Sequence, residues 1–181
     1  MSEVLVGSVK EQRDEILKKH GLDFKIVKGV LHMNLETADG NGIVEIPTEY
    51  YGLYNDKAKK VINTVKKGYQ VSQNDEIIEM VLKGIRGFGD LKVSKAGSIH
   101  DGRKVFIQLE IDGYARVGQD KIKRYITVLD SNDGSSGLSV GIGDLTMSCA
   151  NQFFKFYKAG EMKAKHAGKL EAKIEEFPAL I

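Results

Sequence analysis

A chain of 181 residues with 41% hydrophobic and 29% charged residues has the composition of a globular protein with one sizeable core, which excludes disordered and fibrous classes. No run approaches 18 apolar residues, the opening Met-Ser-Glu-Val-Leu-Val-Gly-Ser lacks the basic flank of a secretory signal, and the single Cys149 has no internal disulfide partner, so a cytoplasmic protein without a membrane partner is expected. The net charge of +2 does not by itself mark a nucleic-acid binder.

Ser8-x-x-Glu11 is a capping-box pattern and Gly21 a natural stop, which predicts a first helix over Val9 to Lys19. Phe24 to Leu35 and Ile43 to Tyr54 read as strands around the turn Ala38-Asp39-Gly40-Asn41-Gly42, and Lys60 to Val71 as a third strand. Ile77, Ile78, Val81, Leu82 and Ile85 recur at spacings of three and four, predicting an amphipathic helix from Asn74 to Arg86, capped by Asn74 or Ser72 and ended by Gly87 and Gly89. Strands follow over Leu91 to Ile99 and Arg103 to Ile111, joined at His100-Asp101-Gly102, with Val105, Ile107, Leu109 and Ile111 facing one way. Ile122 to Leu129 and Leu138 to Cys149 continue the strand-rich region. Asn151 to Lys158 and Ala164 to Glu176 read as closing helices. The expected fold is α+β, a mainly antiparallel sheet with helices packed on one face, in a single domain over 1–181 with 161–181 as a terminal helical extension.

The loop Ser131-Asn132-Asp133-Gly134-Ser135-Ser136-Gly137 has three readings: a plain hairpin turn, a phosphate cradle of convergent N–H groups, or a metal loop. No Gly-Lys-Ser/Thr follows it and no acidic residue closes a calcium spacing. The four histidines show no ligand spacing. No catalytic constellation emerges, so the sequence predicts neither an enzyme, a metal site nor a cofactor. Cys149 reads as a buried, inert thiol. Asn74 and Asn151 stand where strands give way to helices, and both are expected to be structural caps.

Lysines cluster at Lys57, Lys59, Lys60, Lys66 and Lys67, with Tyr50, Tyr51, Tyr54 and Tyr69 near them, and again around Lys121, Lys123 and Arg124. Aromatics that stack bases and lysines that track phosphates are the combination of single-strand binders, whereas Phe153 and Phe156 fall at helical core spacing.

The order of Gly97-Ser98, Gly102-Arg103-Lys104-Val105, the Ser131 to Gly137 loop and Cys149-Ala150-Asn151 resembles a family of phage, prophage and plasmid proteins (domain of unknown function nine-thirty-two). Gly21-Leu22-Asp23-Phe24, Tyr69-Gln70-Val71-Ser72-Gln73-Asn74-Asp75-Glu76 and Lys165-His166-Ala167-Gly168 extend the resemblance over roughly Arg13 to Phe177. Asn132 stands where the family has histidine, Thr146 where it has a basic residue, and Ala167 where it has threonine. The order of hairpin, further strands, Gly-rich turn and helix is also similar to the core of single-strand annealing proteins of the eukaryotic recombination-mediator type. These resemblances imply a non-enzymatic protein of the bacterial cytoplasm that binds or anneals single-stranded DNA in recombination or replication and forms a homo-oligomer. The alternative is a mobile-element protein that binds a host or defence protein. The residues expected to carry strand binding are Arg103, Lys104, Lys121, Lys123 and Arg124, gathered on one exposed face, with Ser135 and Ser136 donating to phosphate.

Overall fold

The computed structural model describes residues 6–40, 42–85, 92–117, 119–143 and 162–164, the side chains of 112–117, 120–122 and 162–164 excepted. Helix α1 covers Val9–Lys19 and begins at the expected capping box: the Ser8 hydroxyl accepts from the Glu11 amide, and the Glu11 carboxylate accepts from the Ser8 amide at 2.7 Å. Strands β1 (Ile26–Glu36), β2 (Ile43–Asn55) and β3 (Lys60–Lys66) precede helix α2 (Asn74–Gly84), after which come β4 (Lys92–Ile99), β5 (Lys104–Val117), β6 (Asp120–Ser131), β7 (Leu138–Gly143) and β8 (Met162–Ala164). They form a three-stranded sheet β1-β2-β3 and a five-stranded sheet β4-β5-β6-β7-β8, with every described ladder antiparallel. The fold is therefore α+β, built on two sheets where one was expected.

Helix α2 is placed by its apolar stripe. Ile77, Ile78, Val81 and Leu82 are all buried, and Ile77 and Ile78 meet Val105, Ile107 and Val128 of β5 and β6 around a void of about 10 Å³. Such a void has room for one water at most, so this contact is core rather than ligand pocket. Each fully buried aliphatic contributes roughly 1.5–3 kcal/mol. The predicted β5 alternation holds: Val105, Ile107, Leu109 and Ile111 are buried.

Three sequence expectations are corrected here. Strand β3 ends at Lys66 rather than Val71, because the Lys28 ammonium takes the carbonyls of Lys67 and Tyr69 at 2.6 and 2.7 Å and draws that segment out of the ladder. The N-cap of α2 is Gln73, neither Asn74 nor Ser72, and the helix closes at Gly84. The closing helix expected from Ala164 starts on a residue that instead ends β8, paired to Leu138 of β7. Gly87, Gly89, Cys149, Asn151 to Lys158 and the rest of the terminal segment lie outside the described residues.

Among the described residues, the three-stranded sheet buries side chains on one face. Ile26, Leu53, Asn55 and Ile62 are buried beneath it, while Val27, Tyr54 and Val61, which stand opposite one another across the strands, occupy the other face. Beyond Val30 the sheet narrows to a β1–β2 ribbon, since β3 stops opposite Tyr50. Two extra β2 residues bulge between the pairs Val30–Tyr51 and His32–Pro47, and the Thr48 hydroxyl donates to the Leu31 carbonyl at 2.8 Å across the bulge.

Candidate functional site

The Gly-Arg-Lys and Ser-Asn-Asp-Gly-Ser-Ser segments meet at the ends of β5 and β6, where Lys104 pairs in register with Ser131. Lys104 is 4% exposed. Its ammonium reaches the Ser131 hydroxyl at 2.8 Å, the Asp133 carboxylate at 3.0 Å and the Ser136 hydroxyl at 3.3 Å, with Ser135 as a fourth oxygen. A buried ammonium demands this many acceptors, because it has lost its water. Asp133 in turn accepts from the Ser131 hydroxyl at 2.6 Å and the Ser135 amide at 3.0 Å. Burial pushes the Asp133 carboxyl up, but these hydrogen bonds and the Lys104 contact outweigh it and hold the group below the usual carboxylate range. The loop is thus a hairpin turn filled from within by a lysine.

The Tyr-Gln-x-x-Gln-Asn-x-Glu box supports that loop from the other side. The Tyr69 ring lies against Gly134, whose φ of +71 places it in the left-handed region that favours glycine; the Tyr69 hydroxyl is pushed up by burial and by the nearby Asp130 and Asp133 charges. Gln73 grips both backbone groups of Ile26, its carbonyl accepting at 3.1 Å and its amide donating at 2.9 Å. Asn74, buried at the start of α2, donates to the Leu22 carbonyl at 2.9 Å and accepts from Asn132, which also donates to the Gly102 carbonyl at 3.0 Å. Asn63 of β3 donates to the Asp133 carbonyl at 2.6 Å, and Asn55 of β2 to the Asp101 carbonyl at 2.9 Å. The motif residues form one polar knot that ties both sheets to α2. Asn74 is structural, as expected, though through segment bridging instead of helix capping. Asn74→Ala is expected to cost about 1–3 kcal/mol, since it strands buried partners, checked as a lower urea midpoint at unchanged slope.

The five basic residues expected on one exposed face are not brought together. Lys104 is buried in the knot, and Ser135 and Ser136 turn their hydroxyl oxygens to it rather than to solvent. Arg103 is exposed beside the β4–β5 turn, and Arg124 is exposed opposite Ile111. Seven residues of β5 separate the Lys104 and Arg124 levels, about 23 Å along the strand. Lys123 is paired with Glu110 at 2.7 Å, and the side chain of Lys121 lies outside the described residues. The reason is register: an antiparallel hairpin sends the start of β5 and the start of β6 to opposite ends.

A different cleft gathers aromatic and basic groups. Thr48, Glu49, Tyr50, Tyr51, Lys66, Lys67 and Gly68 line an open space of about 430 Å³ where β3 ends at the base of the ribbon. Tyr50 stands opposite Lys66 in the β2–β3 ladder and is 52% exposed. Lys28 lies 4.7 Å from the Tyr51 ring centroid, a cation–π contact that stiffens the wall. Lys66 and Lys67 are exposed, and Glu49 is the one carboxylate in the lining. Tyr50, Tyr51, Lys66 and Lys67 were legible as a cluster in sequence; Thr48, Glu49 and Gly68 carried no signal there. Among the described residues no group of three or more His, Cys, Asp or Glu side chains is placed to hold a metal, and no helix is long and apolar enough to cross a membrane.

A family model described as Domain of unknown function (DUF932) matches residues 61–180. No curated protein and no solved structure matches the chain. The matched stretch holds Lys66, Lys67 and most of the knot, whereas Tyr50, Tyr51 and the β1–β2 ribbon precede it.

Proposed function

The chain belongs to the DUF932 family, a domain of unknown function, and we propose that this member is a non-enzymatic, phage- or plasmid-borne protein that binds and anneals single-stranded DNA during recombination or replication in the cytoplasm of its bacterial host. The observation that carries the reading is the open cleft with Tyr50 and Tyr51 beside Lys66 and Lys67. Lys66 and Lys67 neutralise successive phosphates, and the exposed Tyr50 ring stacks on a base, a contact that tolerates any sequence because every base has a π-face. Bases held outward from such a cleft meet a complementary strand without nucleotide hydrolysis. The buried knot acts on the cleft only indirectly, by fixing β3 against the β6–β7 loop through Asn63.

Fluorescence anisotropy with a labelled oligothymidylate tests this. Tyr50→Ala is expected to weaken binding by about 1–3 kcal/mol. Removing both Lys66 and Lys67 lowers the slope of log affinity against log salt by about 1.4, at roughly 0.7 per phosphate contact on a single strand. Wild-type protein that binds no single strand at low salt sinks the proposal.

A further inference from the structure

We propose that Glu49 selects guanine in the strand held by the cleft, its carboxylate accepting from the N1–H and the N2 amino group of a base stacked on Tyr50. The inference rests on the strand-binding reading of the cleft and adds a base preference to it. In a regular strand, consecutive side chains leave opposite faces. Here Thr48, Glu49, Tyr50 and Tyr51 all line one space of about 430 Å³. The cause is the bulge, which sets Thr48, Glu49 and Tyr50 against the single residue Leu31 between the pairs Val30–Tyr51 and His32–Pro47, and a bulge re-aims side chains in this way. Thr48 fixes it from within: its hydroxyl donates to the Leu31 carbonyl at 2.8 Å and accepts from the Tyr50 amide at 3.2 Å. A stacking ring and a carboxylate therefore stand on adjacent residues of one pinned corner.

Glu49 is exposed and forms no hydrogen bond or ion pair among the described residues, although Lys66 and Lys67 line the same space. A carboxylate in a cleft that takes a polyanion repels phosphate, so it opposes binding unless a base donates to it. The Tyr50 ring accepts any base. The carboxylate does not, because its two oxygens only accept. Guanine presents two adjacent donors, N1–H and N2–H, along its Watson–Crick edge, the edge on which unstacked single-strand bases are told apart. Adenine and cytosine each set a ring-nitrogen lone pair beside their amino group, and thymine flanks its one N–H with two carbonyls. Each of these turns a lone pair toward the carboxylate, and guanine alone matches both oxygens. Lys66, opposite Tyr50 in the β2–β3 ladder, is left for the phosphates.

Fluorescence anisotropy tests this with a labelled oligothymidylate and the same strand carrying one central guanine, hypoxanthine, adenine or cytosine. Wild-type protein is expected to bind the guanine strand about five- to tenfold more tightly than the adenine strand, which stacks as a purine but lacks the paired donors. That is the low end for a bidentate base contact, since this one is open to water. Hypoxanthine lacks the N2 amino group, and its strand falls between the two. Glu49→Gln puts a donor where an acceptor stood and removes the preference, while binding of the plain oligothymidylate tightens because a negative charge has left the cleft. A residue that only shaped the bulge would weaken every strand alike. Equal binding of the guanine and adenine strands, or a guanine preference that survives Glu49→Gln, overturns the proposal and leaves strand binding intact. Failure of the wild type to bind any of these strands at low salt overturns the reading of the cleft, and this proposal with it.

Discussion

Lys104→Met is expected to destabilise the protein by about 3–5 kcal/mol, because it removes the cation from a buried pair and leaves Asp133 charged among hydroxyls. The side chains of Lys104 and Asp133 are 5% and 10% exposed, so water does not replace the lost partner. Methionine keeps the length and apolar stem, which confines the change to charge and hydrogen bonding. The double variant with Asp133→Asn is expected to lose less than the sum of the single losses, since the two groups share one network. Acid unfolding supplies a second readout. Asp133 has its folded pKa below the ordinary value, so its contribution is fully present above the unfolded carboxylate range near pH 4 and is lost as pH falls through the folded value. Without Lys104 the folded pKa of Asp133 rises and the loss begins at higher pH. Additive single losses and an unshifted acid limb would contradict the ammonium-centred knot.

Gly102→Ala is expected to cost about 2–5 kcal/mol, combining roughly 1–2 for a side chain in the left-handed region with about 1–3 for overpacking. Gly102 has φ of +86, and a Cβ there meets Phe24 Cζ at 2.9 Å and presses on the Asn55 amide nitrogen. Phe24 and Asn55 are both buried, so neither swings aside freely. Gly21→Ala is the control. It also sits at positive φ, +66, but nothing lies within 4 Å of its Cβ position, and only the backbone cost remains. Equal losses at the two positions, measured by urea unfolding, would mean that the close approach of the turn to Phe24 and Asn55 is unimportant.

These two residues mark where the sequence was legible and where it was not. The capping box at Ser8, the three-four spacing of α2 and the alternation from Val105 to Ile111 are local, and each was readable because its partner lies within one element. The Asp101-Gly102 hairpin was readable for the same reason. Lys104 misled because a lysine next to Arg103 reads as surface; its burial depends on Ser131 standing opposite it and on Asp133, Ser135 and Ser136 curling back, which is a fact of register. Gln73 was hidden similarly, since its role is to hold Ile26 of a strand 47 positions earlier. The cleft was half legible: Tyr50 and Lys66 belong to clusters visible in sequence, and the β2–β3 ladder decides that they face each other.

Ultraviolet cross-linking of a 5-bromouracil-substituted single strand, followed by peptide mapping, tests most directly whether the strand runs through this cleft. The account predicts adducts in the peptide containing Tyr50 and Tyr51, lost in Tyr50→Ala and suppressed by removing Lys66 and Lys67, with Lys104 never modified in the folded protein. Adducts centred on Arg103 or Arg124 that survive those substitutions, or no adducts at all, would contradict it.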